Sequence, residues 1–317
     1  MTTPTTRTGP ADATPLDWML LALLTALGGS SFTFIHAAIE TAPPAFVGVA
    51  RLWIAALLLY IVMRAKGRRF PPILVRTNEG LRPHRVWASM ALVGAIGYAI
   101  PFLIFPWAQQ FVPSGLAGVY MAFMPLWTIG LAHFFADEPL TANKAVGFAL
   151  GAAGVAILMG PDAIAGAGAA SVLAQASLLL ATLLYACSAV ISRRAPPVRP
   201  RVFSAGGVLC GATFATPALL FTPVDLDAIT LKSWLSILAL AAGPTALAGF
   251  VIVMLIRRAG AGFMALANYV TPLWAVALGA LLFGERLGLN VFVALALIFF
   301  GVAVSQWRTT RFVQTES

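Results

Sequence analysis

One arginine stands inside an apolar run. Arg51 is the ninth residue of a stretch opening near position 43, about 12 Å deep at 1.5 Å of rise per residue. An unpartnered guanidinium at such depth costs about 2.5–3.5 kcal/mol. Its planar fork also binds a carboxylate through two parallel hydrogen bonds. Two roles therefore fit Arg51: a dock for a substrate carboxylate, or a structural link to helix-end carbonyls or to Glu40. A second constellation lies in the third run, where Tyr98, Phe102, Phe105 and Gln109 follow one another at spacings of four, three and four. On a helix this places three rings and an amide on one face. Pro101 and Pro106 interrupt the same run. Mid-helix prolines kink a helix and free backbone carbonyls, which is tolerated where they face protein or a wet cavity. Tyr120, Met124 and Trp127 make another such face, and Asn268, Tyr269 and Trp274 a third. An aromatic cavity with a few amides and hydroxyls suits a zwitterion carrying an apolar or aromatic side chain. For each ring taken singly, helix packing or an interfacial belt is the competing role. Glu138 and Glu285 precede apolar runs, where a carboxylate meets unpaired N–H groups and the positive end of a helix dipole. That position fits helix capping or gating.

Other chemistries are poorly provided for. No Asp or Glu falls deep in an apolar run, where proton- or sodium-coupled carriers place one. The expectation is a passage without ion coupling, with His36 and His133, both near run ends, as the remaining titratable candidates. There is no Walker A sequence, no HExxH and no nucleophile–base pair, so neither ATP-driven work nor catalysis is expected, and no cofactor or metal. Cys187 and Cys210 both lie within apolar runs and give no disulfide framework.

The elements that must position these residues are apolar to a degree soluble chains do not reach. Of 317 residues 60% are hydrophobic and 10% charged, against about 45–50% and about 25% in a soluble domain. A helix needs roughly 20 apolar residues to cross a bilayer. Ten runs qualify, near 16–37, 43–64, 87–110, 114–135, 142–160, 171–193, 201–221, 232–257, 262–283 and 288–307. They lack the two-residue alternation of barrel strands, so the fold class is an all-α polytopic membrane protein. The first run is too long for a signal-peptide core and lacks a preceding basic cluster. The net charge of +9 sits between the runs and reads as topology, not as a nucleic-acid surface. With the N-terminus inside, 17 of the 20 Lys and Arg fall in cytoplasmic segments. The positive-inside rule then puts both termini in the cytoplasm. Residues 1–15 and 308–317 are expected as tails, 16–160 as a first five-helix half, 161–170 as a linker and 171–307 as a second half.

The halves repeat one another. Residues 115–158 align with 262–305 at an offset of 147, superposing Pro125-Leu126-Trp127 on Pro272-Leu273-Trp274, Glu138 on Glu285 and Gly154 on Gly301. A weaker match at 157 pairs Pro43 with Pro200 and Phe46 with Phe203. Five spans per copy invert the second copy in the membrane, a plan that in transporters sets the substrate site between the halves near mid-membrane. Gly147, Gly151 and Gly154 form a small-residue face for close helix packing.

The segments PLWTIGLAHFFADEPL (125–140) and PLWAVALGALLFGERLG (272–288) resemble the proline-to-glutamate signature found in both halves of EamA-type carriers, which belong to the drug/metabolite transporter superfamily. AFVGVARLWIAALLLY (45–60) is similar to the same family, and among its branches the chain resembles the YddG-type exporters of aromatic and other amino acids. Ala136-Asp137-Glu138-Pro139 departs from the usual Gly-Glu-Arg in the first copy. The resemblance implies ten spans, a central cavity and amino-acid export by alternating access across a bacterial inner membrane. The partners implied are a small-molecule substrate and the lipid bilayer, with no nucleic acid, for a monomer or a dimer. The alternatives are a carrier of the same superfamily for another metabolite or drug, and an intramembrane lipid-modifying enzyme. The enzyme would need clustered Asp, Glu or His near the interface, and the chain offers only scattered ones.

Overall fold

In lipid every backbone N–H and C=O must bond within the protein, and the apolar runs accordingly become helices. The computed structural model describes residues 13–77, 80–135, 141–164, 168–264 and 266–306. Helix α1 is Pro15–Ile39 and α2 is Pro44–Ala65. Helix α3 covers Arg85–Ala108. Helix α4 starts as Ser114–Tyr120, tightens through Met121–Phe123 and continues as Met124–Phe135. Helices α5 and α6 are Ala142–Ile164 and Gly168–Arg194. Helix α7 is Pro200–Ala215 with a 3-10 extension over Thr216–Phe221. Helix α8 covers Leu231–Gly260, where Gly260 at φ 87° breaks the rod. Helices α9 and α10 are Ala267–Phe283 and Leu289–Gln306. Eight of these have the length and hydropathy of a membrane span, and α9 and α10 are shorter apolar helices. Together they make the ten-helix fold.

Local sequence sets the helix ends. Thr14 and Asp17 close a reciprocal capping box around α1, with Pro15 in the first turn. Pro44 and Pro200 likewise open α2 and α7. The basic connection between α2 and α3 contains a short hairpin, β1 (Leu74–Thr77) against β2 (Gly80–Pro83), in antiparallel register Leu74↔Pro83. Its hydropathy gave no sign of these strands. Helices α5 and α6 run into positions 161–170, expected as linker. Glu138, residues 1–12 of the first expected tail and all of the second, 308–317, lie outside the described residues, as does the side chain of His133.

The third helix of each half contains a π-helical segment, Gly94–Ala99 in α3 and Ala241–Leu247 in α8. Their starts are 147 residues apart (241 − 94), the offset of the sequence repeat. The packing follows the same symmetry. Helix α2 packs on α7, α4 on α9 and α5 on α10, each against its counterpart. Helix α1 rests on α8 and α9, while α6 rests on α3 and α4. The α5–α10 seam is close: a Cβ on Gly147 would overlap the Gly301 carbonyl, and one on Gly301 would overlap the Gly147 carbonyl. This is the close backbone approach that small residues permit between helices in lipid.

Candidate functional site

The site begins with a missing proton donor. Pro244 lies inside the π segment of α8 and has no N–H to offer the preceding turn. The carbonyl of Leu240 instead accepts from the Thr245 hydroxyl at 2.8 Å. The oxygen of Thr245 in turn accepts from Nε of Arg51 at 2.8 Å, across 194 residues of chain. Arg51 is therefore anchored by α8, and Glu40 binds elsewhere. Its guanidinium carbon lies 4.0 Å from the centroid of Phe102, a cation–π contact worth about 2 kcal/mol when desolvated. Arg51 is only 6% exposed. Among the described residues neither terminal nitrogen has a hydrogen-bond partner, yet neither is sealed from solvent. A buried cation thus keeps a free bidentate face.

A series of ring contacts leads on from Phe102. Tyr98 meets Phe102 edge-on at 5.8 Å, and Tyr185 of α6 stacks on Phe105 at 6.1 Å and 22°. Tyr185 also lies within electrostatic range of both Arg51 and Tyr98, and Tyr98 reaches Ser204 of α7. Arg51, Tyr98, Phe102 and Phe105 are brought together with Tyr185 and Thr245, which the sequence reading missed. Thr245 carried a signal, because the offset of 147 pairs it with Tyr98. Tyr185, a lone phenol among apolar neighbours, carried only its type.

The remaining candidates make other contacts, although Tyr120, Trp127 and Tyr269 share a hydrophobic cluster with Phe105 and Tyr185. Gln109 is 3% exposed, and both its amide atoms lack a partner among the described residues. Tyr120 is fully buried and donates to Gln175 at 2.7 Å. Trp127 packs edge-on against Phe123 and Phe148, and Met124 opens that same helix segment. On α9, Asn268 is exposed. Tyr269 packs on Phe299, while Trp274 donates to Ser30 at 3.1 Å.

The two ends of the bundle differ. At the end predicted to face outward, Glu285 accepts from Ser114 N (2.7 Å), Ser114 Oγ (2.7 Å) and Gly115 N (2.8 Å). The helix it caps is α4, not α10, which follows it in sequence. Lys232 and Glu40 pair at 2.6 Å at this same end, and Thr41 bonds to Ser233 at 2.8 Å. At the basic end a cavity of about 710 Å³ opens between α2, α7 and α8. Its inner wall includes Ser204 and Ala246, next to Tyr98 and Thr245 of the cluster. Among the described residues no group of three His, Cys, Asp or Glu is placed to hold a metal ion.

A model of the EamA-like transporter family matches the chain twice, over residues 16–160 and 172–306. The uncharacterized inner membrane transporter YedA of Escherichia coli K12 is 28% identical over 296 residues, 92% of this chain and 90% of that protein. A protein of Streptantibioticus cattleyicolor described as a "Probable terminal-alkyne amino-acid exporter" is 26% identical over 138 residues, 44% of this chain and 43% of its own. A solved crystal structure shares the fold with a TM-score of 0.61 at 20% identity, covering 93% of this chain and 98% of its own.

Proposed function

The chain belongs to the EamA-like transporter family, a multi-pass membrane transporter, and from that premise we propose that it carries amino acids out across the inner membrane by alternating access, without ion coupling. The observation that carries this reading is the free face of Arg51. A substrate carboxylate takes its two terminal nitrogens, in the bidentate geometry that guanidinium favours. The hydroxyls of Tyr98 and Tyr185 accept from the substrate ammonium. Phe102 and Phe105 give an apolar or aromatic side chain a surface to lie against.

The absence of coupling is supported by the carboxylates. Among the described residues Asp17 is the one buried carboxylate. It sits in the first turn of α1, engaged by Thr14 and Arg258. Export is supported by the cavity, which opens at the basic end while the opposite end is closed by the Glu285 and Lys232 contacts. Moving the site to the other face requires those contacts to part as the halves rock. The substrate class is supported by the Streptantibioticus protein described as a "Probable terminal-alkyne amino-acid exporter".

The test is uptake of labelled amino acids into liposomes holding the purified protein, with and without a pH gradient, against empty liposomes. Saturable uptake indifferent to the gradient is expected. Uptake that follows the gradient would overturn the uncoupled mechanism. Folded, inserted protein that moves no amino acid would move the substrate to another metabolite or drug.

A further inference from the structure

The cavity at the basic end has a chemistry of its own. Five arginines line it: Arg68 after α2, Arg199 and Arg201 at the start of α7, and Arg257 and Arg258 at the end of α8. Arg258 is engaged by Asp17 at 2.6 Å, and Arg201 lies 5.9 Å from the Phe250 ring centroid. Among the described residues Arg68, Arg199 and Arg257 have no side-chain partner. Asp17, which pairs with a lining arginine, is 2% exposed and turned to Arg258. Helix α7 begins here with Arg199 as its N-cap and no side-chain cap bond, so the positive end of its dipole adds to the same field. Leu59 of α2 and Ala246, Phe250, Val253 and Met254 of α8, the helix that also carries Arg257 and Arg258, add an apolar part to the lining.

The positive-inside rule asks only that basic residues lie on this face. Arg64, Arg69 and Arg85 satisfy it from outside the cavity, and the five lining arginines, exposed like them, differ in sharing one concave surface. It does not ask five guanidinium groups to converge on one concave wall. Like charges gathered on one concave wall repel one another, and an anion between them lowers that cost. One carboxylate is satisfied by a single guanidinium fork, whereas a phosphate has oxygens for several. A volume of about 710 Å³ falls within the range of pockets that enclose drug-sized molecules.

We propose that this cavity is a binding site for a phosphate-bearing anion with an apolar body, its phosphate held by Arg68, Arg199 and Arg257 and its body against Phe250, Val253 and Met254. The inference rests on the lining of this cavity and not on the Arg51 dock, although the same cavity is the mouth from which the export reading takes its direction, and a binding measurement without transport tests it separately. Two sources supply this chemistry: a free phosphorylated metabolite and the headgroup of an anionic phospholipid.

The test uses purified protein in a neutral detergent, titrated with phenyl phosphate and with dioctanoyl phosphatidylglycerol. Phenol and dioctanoyl phosphatidylcholine serve as comparators without net charge. At least one charged ligand is expected to bind saturably and more tightly than its comparator. The double variant R199Q/R257Q weakens it by about tenfold or more, the loss of at least one charged hydrogen bond. The charge-matched double variant R64Q/R85Q leaves it unchanged. Binding of phenyl phosphate assigns the site to a soluble metabolite, and binding of phosphatidylglycerol alone assigns it to lipid. If neither charged ligand exceeds its comparator, or if both double variants lose binding equally, the site is refuted. Arg68→Gln, whose side chain makes no hydrogen bond with a described residue, replaces R199Q/R257Q should the latter not fold.

Discussion

Replacing Arg51 by lysine keeps the charge and removes the fork. In the resting protein the variant loses the 2.8 Å bond from Nε to Thr245 and the flat contact on Phe102 at 4.0 Å. With a bound carboxylate it also loses the second of two parallel hydrogen bonds. A hydrogen bond to a charged group is worth about 1.5–3 kcal/mol, so the Michaelis constant should rise about tenfold to a hundredfold. The turnover of those molecules that bind substrate should change far less, because the charge remains. The assay is initial-rate uptake into liposomes at several substrate concentrations, normalised to folded protein measured by size exclusion. Arg51→Ala should be more severe, since it leaves Thr245 and the substrate carboxylate unpaired in a buried site. If folded yield and uptake fall in equal proportion in both variants, with the Michaelis constant unmoved, Arg51 is a structural link and the docking argument fails.

Three further outcomes follow from the geometry. Thr245→Val should raise the Michaelis constant while Thr245→Ser leaves it near wild type, because only valine removes both the acceptor for Arg51 and the donor to Leu240; the same kinetic assay reads this. Glu285→Gln sets an amide donor against Gly115 N–H and should weaken the outer closure by about 2 kcal/mol. A cysteine at Val112, which is 5% exposed, should then label several-fold faster with a membrane-impermeant maleimide in a background lacking Cys187 and Cys210; unchanged labelling would make Glu285 a cap that does not gate. Gly147→Ala should lower the unfolding temperature, since its Cβ meets the Gly301 carbonyl and Ser305 and overpacking costs about 1–3 kcal/mol. Gly130→Ala, with its nearest neighbour at 3.9 Å, should not.

The sequence spoke most clearly where one physical term dominates. Twenty apolar residues in lipid admit few structures, so the helices of the ten runs were legible, and a gap-free internal alignment carried the symmetry. The reach of that symmetry was not legible. The π segments of α3 and α8 obey the offset of 147, but Tyr98 and Thr245 differ in type and conceal the match. The partner of Arg51 depends on how α2 meets α8, a contact across 194 residues that helical periodicity does not encode. Glu285 shows a similar limit. Its position suggested the start of α10, yet Gly284 at φ 63° turns the chain, and the carboxylate reaches α4. Spacing also placed Tyr120, Trp127 and Tyr269 on helical faces without saying which neighbour each face meets, and in the structure these rings join the hydrophobic cluster that holds Phe105 and Tyr185.

The most direct test of a carboxylate dock compares two competitors that differ at one group. Uptake of a labelled aromatic amino acid would be measured in liposomes with the unlabelled acid, and with its α-amide, as competitor. The docking account predicts that the acid competes at concentrations near the Michaelis constant and that the amide needs roughly tenfold more or fails, reflecting one lost charged interaction. Equal competition by acid and amide would contradict it and leave the free face of Arg51 without a substrate.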